Sequence, residues 1–295
     1  MDDQDLLAAR FEEHRSHLRA VAYRMLGSLG EAEDAVQEGW LRLSRTDVSD
    51  VENLGGWLTT VVARVCLNGL RSRETRREDP LDIRMPDPVI GREDAIDPEQ
   101  EVLLADSVGL ALLVVLESLA PAERLAFVLH DMFAVPFDEI APMIDKTPVA
   151  TRQLASRARR RVQGQAPAPD PDLGRQREAV NAFFAATREG DFGALVAILH
   201  PDVVLRADGR LGRTRQTVVL NGAESVASQA AGYRSLAPFV VPALINGAAG
   251  VVVVAKGKLM SVMAFTVVGG LVVAIDVITD PDRLVGYDVS GVVGG

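Results

Sequence analysis

Apolar residues recur every three to four positions over the first quarter of the chain. Phe11, Leu18, Val21, Ala22, Met25 and Leu26 share one face of a predicted helix. Gly27-Ser28-Leu29-Gly30 turns the chain, so residues 5–45 read as two helices. Ser28 with Glu31 three residues on reads as an N-cap with a capping box. The second helix runs from Glu31 to Ser44 and holds Ala35, Val36, Trp40, Leu41 and Leu43. After a polar loop at 45–55, a third helix from Gly56 to about Arg73 buries Trp57, Leu58, Val61, Val62, Val65, Cys66 and Leu70.

Residues 79–98 are rich in Pro and Asp and read as a linker. Helical patterning resumes at about Glu99 and continues to Gln163, and a proline-stiffened linker covers 164–174. Beyond it the period changes. Helices are expected at about 175–188, 191–199 and 222–234. Strand-like runs follow at about 238–246, 250–257, 259–268 and 271–278, separated by glycine-containing turns. That order predicts an antiparallel sheet with helices on one face.

A chain of 295 residues exceeds one average domain. Its one cysteine, Cys66, excludes an internal disulfide framework and fits a reduced compartment. The start Met1-Asp-Asp-Gln-Asp lacks the basic head and apolar body of a secretory signal. The valine-rich runs near 250 and 270 are short and broken by Gly, Lys and Asp, so no membrane span is expected and the chain reads as cytoplasmic. No ligand spacing for a metal and no cofactor motif is present.

The net charge of −10 argues against a nucleic-acid partner, but the distribution of charge reverses that argument. Lys146 and five arginines lie between positions 146 and 162 with no acidic residue among them. They follow a short apolar-periodic helix ending near Ile144 and a polar turn at Asp145, Lys146 and Thr147. This is the layout of a helix-turn-helix, whose second helix enters a DNA groove. Leu154, Ala158 and Val162 would pack inward. Thr151, Arg152, Gln153, Ser156, Arg157, Arg159 and Arg160 are the DNA-facing candidates, because arginine and glutamine suit bidentate base contacts and surplus arginines suit phosphates.

Opposite the apolar face of the third helix lie Thr60, Arg64, Asn68 and Arg71, with Arg73, Arg76 and Arg77 beyond. The stripe could hydrogen-bond bases or phosphates, and a solvated helix face would show the same pattern. In the second helix, Glu31, Glu33, Asp34, Gln37 and Glu38 form an acidic face beside Trp40. That face suits a basic protein surface with an aromatic anchor, or simply complements the helix dipole.

Tyr23-Arg-Met-Leu-Gly-Ser-Leu-Gly-Glu-Ala-Glu-Asp-Ala-Val-Gln-Glu-Gly-Trp-Leu resembles region 2 of extracytoplasmic-function sigma factors, and Gly56-Trp-Leu-Thr-Thr-Val-Val-Ala-Arg-Val-Cys-Leu-Asn-Gly-Leu-Arg-Ser-Arg resembles their promoter-melting helix. Residues 99–163 resemble region 4. The resemblance implies a multidomain chain that directs core RNA polymerase to promoter DNA. Region 2 (1–78) and region 4 (99–163) would be all-α DNA-binding domains. Asp34, Gln37, Glu38 and Trp40 would meet the polymerase clamp. The 45–55 loop with Arg64, Asn68 and Arg71 would handle the minus-ten element, and Arg152, Gln153, Ser156 and Arg157 would read the minus-35 element.

Residues 175–295 resemble the SnoaL-like, cone-shaped α+β fold, which one sigma subgroup carries fused and uses to modulate activity. Asp280-Pro-Asp-Arg-Leu284 is similar to that subgroup's Asn-Pro-Asp-Lys-Leu signature, and Arg84-Met-Pro-Asp-Pro88 to its Trp-Leu-Pro-Glu-Pro linker element. The resemblance thus gives Pro86, Asp87, Pro88, Asp280, Pro281, Asp282, Arg283 and Leu284 an interdomain regulatory role. Two residues depart from the helix-turn-helix pattern. Pro142 removes a backbone donor inside the first helix, and Asp145 stands where the turn usually has glycine.

The rival expectation is a C-terminal domain that binds a small molecule or acts like a cyclase, with Asp208, Asp276 and His200 as candidate acid/base residues. No Ser/His/Asp arrangement accompanies them. The chain is therefore expected not to be an enzyme.

Overall fold

The computed structural model describes residues 3–48, 51–76, 85–92, 109–166, 168–208, 210–211, 214–215, 217–287 and 289–293. These form two compact units. Among the described residues the first takes in 3–76 and 115–165, the second 85–92, 109–114 and 166–293.

The first unit opens with α1 (Asp3–Leu26), α2 (Leu29–Leu43) and α3 (Leu54–Arg76). Leu18, Val21, Met25, Val36, Leu43, Leu58, Val62 and Cys66 are fully buried among them. Helix α1 stops because Gly27 adopts φ 66 and its N–H closes on the Tyr23 carbonyl at 2.8 Å. The expected capping box is not made. The Ser28 carbonyl accepts from Ala32 N at 3.0 Å, but its hydroxyl makes no cap. Glu31 instead pairs with Arg73 of α3. Helix α3 starts two residues earlier than the apolar pattern suggests, because Asn53 Oδ1 accepts from Gly56 N at 2.9 Å. Leu41 is 44 % exposed, since it lies a turn-fraction off the Val36, Gly39 and Leu43 face.

Next come α4 (Leu110–Glu117), α5 (Pro121–Phe127), a π turn (Val128–Met132), α6 (Phe137–Ile140) and α7 (Pro148–Gln165). Pro142 shortens α6: the chain tightens into a 3₁₀ turn over Ala141–Met143. Asp145 sits at φ 53, the left-handed geometry that the turn needs. Thr147 caps α7 by accepting from Ala150 N at 3.2 Å, and Pro148 fits the first helical turn. Thr151, Ala155, Ala158 and Val162 face inward; Leu154 is only half-buried.

In the second unit α8 (Leu173–Glu189), α9 (Phe192–Ile198) and α10 (Ala223–Ala231) pack with one sheet. Its strands are β1 (Ile90–Gly91), β2 (Leu199–Asp208), β5 (Val218–Asn221), β6 (Val240–Ile245), β7 (Ala248–Ala255), β8 (Lys258–Val268) and β9 (Leu271–Ile278), in the order β1-β6-β7-β8-β9-β2-β5. A separate two-stranded ribbon joins β3 (Arg210–Leu211) to β4 (Thr214–Arg215). The sheet is mixed rather than antiparallel throughout, because β2 runs parallel to β9, with Leu205 opposite Ile275. Phe183, Phe184 and Phe265 meet edge-on at 5.3–5.8 Å in its core. Asn246 and Gly247, both at positive φ, turn the β6–β7 hairpin in the manner Asn-Gly favours. Short helices α11 (Pro281–Leu284) and α12 (Ser290–Val293) close the described chain. Among the described residues no helix is long and apolar enough to cross a membrane.

Candidate nucleic-acid interface

Helix α3 presents its polar stripe as a surface. Arg64, Asn68 and Arg71 are exposed, while Thr60 spends its hydroxyl on the Gly56 carbonyl at 3.0 Å. Arg73 is used inside the unit: Nη1 donates to the Leu26 carbonyl at 3.2 Å and the guanidinium pairs with Glu31. It caps the end of α1, a task that patterning does not reveal. The side chain of Arg76 and all of Arg77 lie outside the described residues, as do Ser49 and Asp50 of the loop.

On α7 the expected residues separate into three kinds. Arg152, Gln153 and Arg160 are exposed, with Ser156 half-buried beside them. The Arg152 guanidinium lies 5.3 Å from the Phe137 ring centroid, a cation–π contact that fixes its direction. Arg157 Nε donates to Glu123 Oε1 at 2.9 Å, and Arg159 Nε to Asp131 Oδ1 at 2.7 Å. Thr151 is a correction. It is fully buried and donates its hydroxyl to the Thr147 carbonyl at 3.0 Å, so it is a core residue of the helix.

Of the polymerase-facing candidates on α2, Asp34 and Gln37 are exposed and Glu38 pairs with Arg42 at 2.9 Å. Gln37 and Trp40 line a groove of about 190 Å³ against α1, with Phe11, Glu12 and Arg15 on its other wall. The Trp40 ring rests 5.3 Å from that of Phe11.

In the second unit the expected signature becomes a clamp on the linker. Arg283 donates through Nη2 to the Pro86 carbonyl at 3.0 Å and to Asp87 Oδ1 at 2.9 Å, and through Nη1 to Asp208. Tyr287, which sequence reasoning missed, donates its hydroxyl to the same Asp87 oxygen at 3.1 Å. Burial, and then the Asp87 carboxylate, push that phenol well above its ordinary range. Pro86 and Pro88 are buried, Asp280 caps α11 through Asp282 N at 3.0 Å, and Leu284 is buried. Asn246 then grips the next linker residue from both sides. Its Oδ1 accepts from Val89 N at 3.0 Å and its own N–H donates to Val89 O at 2.8 Å. Ile90 and Gly91 continue as an added strand against Ile245 and Leu244. Arg84 of the linker element lies outside the described residues.

The candidate acid/base residues of this unit each have a partner within the fold. Asp276 is 1 % exposed and accepts from Arg206 Nη1 at 2.9 Å. Burial raises its carboxyl despite that cation. Its strand neighbours Ile275 and Val277 belong to the phenylalanine core, so alternation puts Asp276 on the opposite sheet face. Asp208 holds Thr279 N at 2.8 Å as well as Arg283, and His200 Nδ1 accepts from Asp202 N at 3.1 Å. Among the described residues no three His, Cys, Asp or Glu side chains converge as a metal would require.

Residues 10–76 match the family model Sigma-70 region 2, and residues 109–162 match Sigma-70, region 4. The chain is 36% identical over 285 residues to the probable ECF RNA polymerase sigma factor SigI of Mycobacterium tuberculosis, covering 96% of this chain and 97% of that protein. It is 46% identical over 203 residues to the ECF RNA polymerase sigma factor SigJ of the same organism, covering 68% of this chain and 64% of that one. The crystal structure of M. tuberculosis SigJ superposes with a TM-score of 0.77 at 35% identity, over 95% of this chain and 99% of that chain.

Proposed function

The chain belongs to the extracytoplasmic-function RNA polymerase sigma factors and directs promoter-specific initiation of transcription; from that premise we propose how its surfaces divide the work. Helix α2 docks on core polymerase through Asp34, Gln37, Glu38 and the Trp40 groove. Helix α3 meets the minus-ten element with Arg64, Asn68 and Arg71. Helix α7 reads the minus-35 element with Arg152, Gln153, Ser156 and Arg160. The observation that carries this reading is the exposure of two cationic helix faces in an otherwise acidic chain, one following a capped, left-handed turn at Asp145.

Initiation requires no bond-making by the chain itself. Opening DNA replaces base stacking, worth roughly 1–2 kcal/mol per step, by contacts to the displaced strand. Exposed Arg and Asn side chains on α3 suit that exchange, and polymerase supplies the catalysis.

The second unit modulates activity by holding the linker. Its grip on Asp87 and Val89 fixes the segment that connects the two promoter-contacting regions. Transcription from a cognate promoter by core polymerase tests the whole reading. Arg64→Ala with Arg71→Ala should impair open-complex formation, and Arg152→Ala with Arg160→Ala should impair promoter binding, both with core association intact. Activity equal to wild type in both pairs would refute it.

A further inference from the structure

Helix α7 carries Arg152, Arg157, Arg159, Arg160 and Arg161, yet these five cations are not equally available. Two acids from the elements packed against it engage three of them. Glu123, in the first turn of α5, accepts from Arg157 Nε at 2.9 Å and lies 3.9 Å from Arg161 Nη1, which also donates to the Ser118 carbonyl at 3.2 Å. Asp131, in the π turn, accepts from Arg159 Nε at 2.7 Å. Both acids are largely covered, with side chains 14% and 16% exposed, whereas their arginine partners remain about half exposed. Ion pairs this open to water contribute little to stability. Their consequence is electrostatic: a helix with five cations presents two to DNA without an internal counter-charge. Arg160 reaches no acid among the described residues, its Nε pointing to the Ser156 carbonyl at 3.4 Å, and Arg152 leans on the Phe137 ring.

We propose that Glu123 and Asp131 are specificity-determining positioning residues, which withhold Arg157, Arg159 and Arg161 from the phosphate backbone so that binding depends on base contacts. Phosphate contacts supply most sequence-independent affinity, and each steepens the fall of log K with log salt by about 0.9. Base-edge contacts discriminate between sequences. Withholding three arginines therefore lowers affinity for any DNA while leaving the reading of the correct site in place, which raises the ratio of specific to non-specific binding. The acids also aim the guanidinium groups, because a charge-assisted hydrogen bond to a covered carboxylate favours one direction of the long side chain.

This inference rests on the assignment of α7 to promoter reading. The test uses holoenzyme assembled from the full chain and core polymerase. Binding to a cognate promoter fragment and to a scrambled fragment is measured over a series of potassium chloride concentrations. Glu123→Gln with Asp131→Asn should steepen the salt slope by about 2 to 3 on both fragments and lower the promoter-to-scrambled ratio about tenfold. Arg157→Gln should leave the slope at its wild-type value, whereas Arg160→Gln should make it shallower by about 0.9. An unchanged slope in the double variant, or a loss of about 0.9 on Arg157→Gln, would overturn the proposal, since Arg157 would then already rest on phosphate. If the double variant fails to fold, the two single arginine variants decide. If neither of these changes slope or promoter affinity, the assignment of α7 itself fails, a result distinct from failure of the withholding idea.

Discussion

Arg124 donates from both Nε and Nη2 to the backbone carbonyl of Arg24, at 3.2 Å each, bridging helices a hundred residues apart in sequence. Its third nitrogen, Nη1, pairs with Glu117 at 2.8 Å, and the side chain is 1% exposed. Arg24 lies beneath it with its guanidinium 4.9 Å from the Phe133 ring. Region 2 and region 4 thus share one compact unit through a buried cation on the end of α1. Under the proposed assignment, the minus-ten and minus-35 elements they would contact are, by name, about 25 base pairs apart, or roughly 85 Å at 3.4 Å per pair. A compact body of about 140 residues has a radius of gyration near 14 Å, so it cannot hold both elements in this form. Under that assignment the contact parts on the promoter.

Arg124→Ala removes three hydrogen bonds and leaves Glu117 without its cation. Breaking a buried pair in this way costs about 3 to 5 kcal/mol, which urea unfolding of the full chain would register in the transition of the first unit. Arg124→Lys, with one compact ammonium in place of the fork, should lie between alanine and wild type. A loss below about 1 kcal/mol for alanine would mean that the contact is incidental.

Cys66 reports on the same contact. It is wholly buried in α3, and burial, opposed by the nearby Arg124 cation, pushes its thiol up to about 12. A thiol-specific reagent should therefore label the native chain slowly, and Arg124→Ala should speed labelling at least tenfold at unchanged helix content. The pH dependence has a definite sign. In the unfolded chain the thiol ionises near its ordinary 9.0, while in the fold it stays protonated to about 12. Ionisation then favours the unfolded state, so stability falls as pH rises from 9 towards 12, by at most about 1.4 kcal/mol per pH unit. Cys66→Ala should flatten that decline in urea titrations at pH 8 and 10.5, and an equally steep decline in both proteins would contradict the assignment.

Arg206 and Asp276 form another covered ion pair, side chains 12% and 1% exposed. Asp276→Ala strands the arginine and should lower the stability of the second unit by about 3 kcal/mol, while core-polymerase binding and promoter choice persist. A selective loss of some small-molecule turnover at unchanged stability would instead revive an acid/base role.

The linker clamp makes a further prediction. Arg283→Ala, Asp87→Ala and Asn246→Ala each release the same segment, through different bonds. All three should change the yield of run-off transcript in the same direction as a truncation after residue 165. Divergent signs among them would show that the second unit does not act through the linker.

Much of this was legible in the sequence because period and charge carry it. The apolar spacing of Leu18, Val21 and Met25 gave α1, and the cation run from Arg152 to Arg161 marked α7. Arg283 and Asp87 were singled out by motif and Asp208 as a candidate acid, and they meet. What stayed hidden depends on long-range partners. Strand β2 opens with Leu199-His200-Pro201-Asp202, whose proline and polar residues hide a strand from period counting. Its parallel pairing with β9 joins segments about 70 residues apart. A two-residue strand in a proline-rich linker leaves no periodic trace, so β1 could not be foreseen. Arg73, Arg157 and Arg159 look alike to a charge count. Only the fold reveals that Glu31, Glu123 and Asp131 already hold them. Thr151 projects inward because it shares a face with Ala155, Ala158 and Val162, whose small side chains give a faint apolar signal.

The most direct measurement is run-off transcription by core polymerase supplied with the full chain, on a template carrying a cognate promoter. Wild type should yield a single transcript that disappears when Arg64 and Arg71 on α3, or Arg152 and Arg160 on α7, are replaced by alanine. If the purified chain binds no core enzyme, or if transcripts start at the same sites and rates with all four arginines removed, the account is wrong.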